Sequence, residues 1–95
     1  MSSKDYYRRQ IESKRKDIVT VRTKIAKAKD DKKRKMASLA VSLKNTKEAG
    51  RKESIRRQKI AVVAQCDREV ESFQKKIESL KRDIENLRAS MARAK

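Results

Sequence analysis

The chain has 95 residues, one cysteine, no histidine and no proline, and its basic residues outnumber its acidic residues by 29 to 13. A chain of this length forms one small domain at most, and without histidine it lacks the usual general base at neutral pH. One cysteine and no histidine also make no zinc site. We therefore expect no enzyme, no metal, no cofactor and no small-molecule substrate.

The first predicted element is a helix over about residues 4–47. Its core positions follow steps of four and three residues from Tyr7 to Ala28. This spacing is typical of a coiled coil, because it keeps one stripe of a helix facing a partner. Beyond Ala28 the steps change, and the apolar positions continue at Met36, Leu39 and Leu43.

A turn is predicted over about residues 48–52, where the apolar spacing lapses. Gly50 is the only glycine in the chain and is free to adopt the left-handed conformation that ends a helix. Ser54 is a candidate cap for the next helix. The weak turn signal also leaves open a single unbroken helix that pairs with another chain.

The second predicted helix covers about residues 53–94. Ten consecutive core positions between Val63 and Ala94 carry apolar side chains, with Cys66 counted as a small hydrophobic residue. The two helices mirror each other about the turn, so that Leu43 would face Ile55 and Ile18 would face Leu80. Such mirror symmetry predicts an antiparallel pair.

The predicted fold is all-α, a single coiled-coil module over residues 1–95 that forms an antiparallel helical hairpin. Two helices bury little surface, so we expect hairpins to pack into a higher-order helical bundle. The predicted assembly seam consists of Tyr7, Ile11, Ile18, Val21, Ile25, Val70, Phe73, Ile77, Leu80, Ile84 and Leu87.

Three core positions carry side chains that are unusual in such a seam. Lys14 and Lys32 either extend their long stems past the seam or set the register of the helices. Cys66 is interpreted as a buried small residue, with a reactive thiol as the alternative. The flanking positions do not favour the pairing, because Asp17 would lie near Asp83.

A basic segment lies at the predicted turn end of the hairpin. Residues 32–59 contain eleven basic and two acidic residues. This segment is either a candidate anion-binding tip or a solvated surface that keeps the protein soluble. Its basic residues are Lys32, Lys33, Arg34, Lys35, Lys44, Lys47, Arg51, Lys52, Arg56, Arg57 and Lys59.

Two functions are compatible with these patterns. The first is non-catalytic protein–protein assembly, as a homo-oligomer or with another protein. The alternative is a basic hairpin that binds nucleic acid non-specifically through phosphate contacts at residues 32–59. Base stacking is not expected there, because the aromatic residues Tyr6, Tyr7 and Phe73 lie outside the segment.

Three features of the sequence predict the compartment in which the protein is found. A single cysteine fits a reducing compartment, and no signal peptide follows Met1. The longest apolar run, 60–64, is too short to cross a bilayer, so membrane spanning is excluded. We expect a cytoplasmic protein.

The segment Asp5–Ile18, which begins Asp-Tyr-Tyr-Arg-Arg-Gln-Ile, resembles basic N-terminal coiled-coil segments of longer bacterial proteins. In some of these proteins a TIR-type signalling or NADase domain follows the coiled coil. The resemblance implies an assembly segment of a bacterial defence effector. It implies no catalytic residue in this chain.

Overall fold

The computed structural model describes residues 2–94 and confirms an all-α helical hairpin. Helix α1 spans Ser3–Asn45 and helix α2 spans Ala49–Arg93, with no strand among the described residues. The unbroken helix left open by the sequence is therefore wrong. Met1 and Lys95, the ends of the predicted module, lie outside the described residues.

Helix α1 begins one residue before the predicted start, and Ser2 caps it. The Asp5 backbone N–H donates to Ser2 Oγ at 3.2 Å, and the Ser2 carbonyl accepts from the Asp5 and Tyr6 N–H groups. These bonds satisfy N–H groups that have no partner within the helix. Asp5 also places a carboxylate in the first turn, where negative charge is favourable.

The connection between the helices is residues 46–48, which overlaps the turn predicted at about 48–52 only at residue 48. The Glu48 carbonyl already accepts the Lys52 N–H at 3.0 Å, which starts α2 four residues before the predicted start. Gly50 therefore lies in the first turn of α2, and neither it nor any other described residue has a positive φ. Ser54 is also helical and does not cap α2.

The hairpin comprises two compact units, and each contains a part of both helices. Unit 1 pairs the described residues 2–24 with 72–94. Its core follows the predicted spacing of four and three residues, because those positions return to the same face of each helix. The buried side chains of unit 1 are Ile11, Ile18, Val21, Ile77, Leu80 and Ile84.

Unit 2 covers residues 25–71 and has a smaller buried core, formed by Ala28, Ile55 and Cys66. The apolar spacing of both helices changes in this unit, so successive side chains no longer point at one line of contact. As a result, several apolar side chains are only half-buried: Met36, Leu39, Leu43, Val62 and Val63.

Candidate interaction surfaces

None of the eleven residues of the predicted seam is fully exposed. Six of them form the core of unit 1 given above, and the other five are half-buried: Tyr7, Ile25, Val70, Phe73 and Leu87. Even the most buried side chains among the described residues, Val21 and Ile55, keep 4% of their surface exposed. Five of the eleven seam side chains are thus only partly covered by the two helices.

Lys14, which occupies a core position of α1, uses its length to reach an acidic residue of α2. Its Nζ lies 3.7 Å from Asp83 Oδ2, and the two side chains are 34% and 46% exposed. The positive charge of Lys14 therefore compensates the negative charge of Asp83. Asp83 was expected to lie near Asp17, which follows Lys14 by about one helical turn. An ion pair this exposed contributes about 0–1 kcal/mol.

Cys66 is buried in unit 2 with 5% exposure. Its Sγ donates a hydrogen bond to the Ala28 carbonyl across the helix pair, with an Sγ–O distance of 3.6 Å. The structure thus agrees with the interpretation of Cys66 as a small buried residue. The reactive thiol has no support in this geometry, because a nucleophile needs access to its target.

The eleven basic residues of the 32–59 segment all belong to unit 2. Lys32, Lys52 and Lys59 are half-buried and the other eight are exposed. Within residues 32–59, Arg34 and Arg57 are the basic residues that form ion pairs, with Asp30 at 2.8 Å and with Glu53 at 3.6 Å. Most of the positive charge of this segment is therefore free to meet a partner.

Unit 2 also exposes an apolar groove. Met36 of α1 and Ile60, Val63 and Ala64 of α2 line a groove of about 380 Å³, together with the charged residues Lys59 and Asp67. Ile60 is 71% exposed, the highest value among the exposed large hydrophobic side chains. A large apolar side chain so exposed beside other apolar side chains is typical of an interaction site.

Sequence reasoning missed this groove, although a signal was present. Ile60 does not occupy a core position of the mirror pattern, yet it begins the longest apolar run of the chain. An apolar residue between two core positions of a helix lies beside the seam and extends the apolar surface outward.

A second groove, in unit 1, extends the packed core to the surface. It has a volume of about 390 Å³, and Val19 lines it together with the core residues Ile18 and Ile84. The rest of its lining is charged and consists of Arg15, Arg22, Lys81, Glu85 and Arg88. Val19 itself is 62% exposed. An apolar strip at Val19 therefore reaches the surface of unit 1 between charged side chains.

The described residues offer little chemistry beyond packing and charge. Among residues 2–94, no group of histidine, cysteine, aspartate or glutamate side chains could hold a metal ion. A hydrogen bond with the Ser2 side chain, supported by Arg8, holds the pKa of the Asp5 carboxyl below its ordinary value. Neither α1 nor α2 contains a stretch apolar enough to span a bilayer.

No protein-family model matches this chain, and no curated protein and no solved structure matches it either.

Proposed function

We propose that the chain is a non-catalytic coiled-coil module that mediates protein–protein assembly by self-association of its helical hairpins. The observation that carries this proposal is the exposure of Val19 beside the core of unit 1. Val19 is 62% exposed, yet it shares a groove with Ile18 and Ile84, which are buried. A helix of a second hairpin packed into this groove would cover Val19 and thicken the core.

The energetic argument is general for small helical proteins. A chain this short buries too small a fraction of its surface for large stability, and association supplies the missing burial. Covering a valine side chain contributes about 1.5–3 kcal/mol at full burial. The exposed Tyr6, 57% exposed and edge-to-face with Tyr7, adds further apolar area in unit 1.

The test is sedimentation equilibrium of the Val19→Asp variant in high salt. A charge at a newly buried position disfavours association, so we expect the associated form to be lost while helix content is kept. Val41→Asp is the matched control, because Val41 is similarly exposed, at 59%, but lies in unit 2. If Val19→Asp associates as the unmodified protein does, the groove of unit 1 is not the interface and the proposal fails.

A second candidate function is phosphate-backbone binding by the 32–59 segment. The observation that favours it is that most basic side chains of this segment, including Arg51 and Arg56, form no ion pair among the described residues. Replacing Arg56, Arg57 and Lys59 with Glu should then abolish nucleic-acid binding that has a steep salt dependence, and should leave assembly intact. Unchanged binding would exclude this candidate.

The proposal also covers the kind of protein to which the module belongs and the compartment in which it is found. The resemblance of Asp5–Ile18 to N-terminal coiled coils of bacterial effectors suggests that this module brings together domains of a larger protein. The single cysteine fits a reducing compartment, so we place the module in the cytoplasm.

A further inference from the structure

We infer that the apolar groove of unit 2 is a docking site for an acidic amphipathic helix of another protein. The inference goes beyond self-association, which we assign to unit 1. It combines two features of unit 2, its incomplete apolar covering and its dense positive charge.

The shape of the groove favours a helix as the occupant. Met36 and Val63 are half-buried and Ile60 is exposed, so the three side chains present an open apolar stripe between two helices. A third helix that lays its apolar face into such a groove is a recurring mode of recognition. Strand addition is not favoured, because the flanking backbone is helical and its hydrogen bonds are made within the helices.

The charge around the groove favours an acidic partner. Lys59 lines the groove, Lys33 precedes Met36 by three positions, and Arg56 precedes Ile60 by four positions. Residues at these spacings are neighbours on a helix surface. Asp67 is the single acid that lines the groove. Glutamates flanking the apolar face of a partner helix would therefore meet basic side chains on both helices of unit 2.

The same charges oppose a second copy of this chain at the groove. Residues 32–59 have eleven basic and two acidic residues, and their self-pairing would bring like charges together. Like-charge contacts across an interface disfavour wrong partners. Self-pairing of residues 32–59 is thus disfavoured by the charge that attracts an acidic helix. The groove of unit 1, whose lining holds four basic residues and one acid, meets the same kind of repulsion, so association there is tested in high salt.

The groove is also poorly suited to a lipid surface. Helices that lie in a membrane interface use large apolar side chains such as Trp, Phe and Leu. The most exposed apolar side chain at this groove is Ile60, and the aromatic residues Tyr6, Tyr7 and Phe73 all belong to unit 1. Insertion of one isoleucine would bury little area.

The experiment measures binding of a synthetic peptide to the full chain by fluorescence anisotropy. The probe is an amphipathic helix of about three heptads, with leucine on one face and glutamate elsewhere. We expect saturable binding that Ile60→Ala weakens about ten-fold, through the lost apolar contact. Val41→Ala is the matched control and should change the dissociation constant by less than about two-fold, because it removes no contact at the groove.

Three further probes distinguish the other occupants. A peptide with lysine at every glutamate position should not bind. Vesicles rich in phosphatidylserine should bind Ile60→Ala as well as they bind the unmodified chain. Ile60→Ala should have the same oligomeric state in solution as the unmodified protein.

Several results would overturn the inference. The first is equal affinity of the glutamate peptide for Ile60→Ala and for the unmodified chain. The second is binding of the lysine peptide as tight as that of the glutamate peptide. The others are a loss of vesicle binding in Ile60→Ala and dissociation of the assembled form by that substitution. Both variants replace exposed residues by alanine, a strong helix former, so circular dichroism should show unchanged helix content. The oligomeric state of the unmodified protein, determined from its mass in solution, tests self-association through unit 1 by itself. Self-association and helix docking at unit 2 can therefore fail independently.

Discussion

Lys14 Nζ lies 3.7 Å from Asp83 Oδ2, so a lysine in a seam position of α1 is compensated by an acidic residue of α2. The pair explains how a charged side chain is tolerated between Ile11 and Ile18, which are both buried. The Lys14 side chain is 34% exposed, as expected of a long side chain that carries its charge from a core position toward solvent.

The exposure of this pair predicts a small contribution to stability. Asp83→Ala should lower the free energy of unfolding by less than about 1 kcal/mol, because solvent screens charges that are one third or more exposed. The measurement is urea denaturation of Asp83→Ala, Lys14→Met and the double variant, each at low and high salt. A coupling energy above about 3 kcal/mol, typical of a buried pair, would contradict the observed geometry.

The seam predicts a drastic effect of charge in the core of unit 1. Ile77→Asp together with Leu80→Asp should abolish helix content and oligomers, because both side chains are 7% exposed and a buried unpaired charge is costly. Circular dichroism and light scattering report the two losses. Gln74→Asp with Ser79→Asp is the matched control on exposed positions of the same segment. Oligomers that persist in the Ile77/Leu80 variant would mean that the seam is assigned to the wrong residues.

Cys66 should resist thiol reagents in the folded protein. Its side chain is 5% exposed and donates to the Ala28 carbonyl, so labelling requires local opening of unit 2. We expect a slow reaction with a disulfide reagent in buffer and a fast reaction in urea. A reaction in buffer at the rate of a free thiol would contradict the buried placement.

The hydrogen bond between Ser2 and Asp5 at the start of α1 predicts a low titration midpoint for the Asp5 carboxyl. The pKa of the Asp5 carboxyl lies below its ordinary value of 3.8, first because of the hydrogen bond with the Ser2 side chain. A lowered pKa in the folded state gives stability that is present above the ordinary pKa and is lost as the pH falls through the folded value. Carboxyl chemical shifts followed by NMR should show the low midpoint, and Ser2→Ala should raise it. An unchanged midpoint in Ser2→Ala would remove Ser2 as the cause.

The hairpin and most of its core could be predicted from spacing alone, because Ile11, Ile18 and Ile77 recur at intervals that fix one face of a helix. The turn could not be predicted correctly, since Gly50 suggested a left-handed residue that a three-residue connection does not need. Ile60 was missed because it lies between core positions of α2, and the seam spacing does not show how much of an apolar side chain beside the seam stays exposed.

The most direct test of self-assembly is the mass of the unmodified protein in solution, measured by light scattering over a range of concentrations. High salt is used so that non-specific charge effects are screened. The proposed function predicts a defined multiple of one chain, stable in high salt because the contacts are apolar. A mass of one chain at every concentration would contradict self-assembly and would favour phosphate binding by the basic segment.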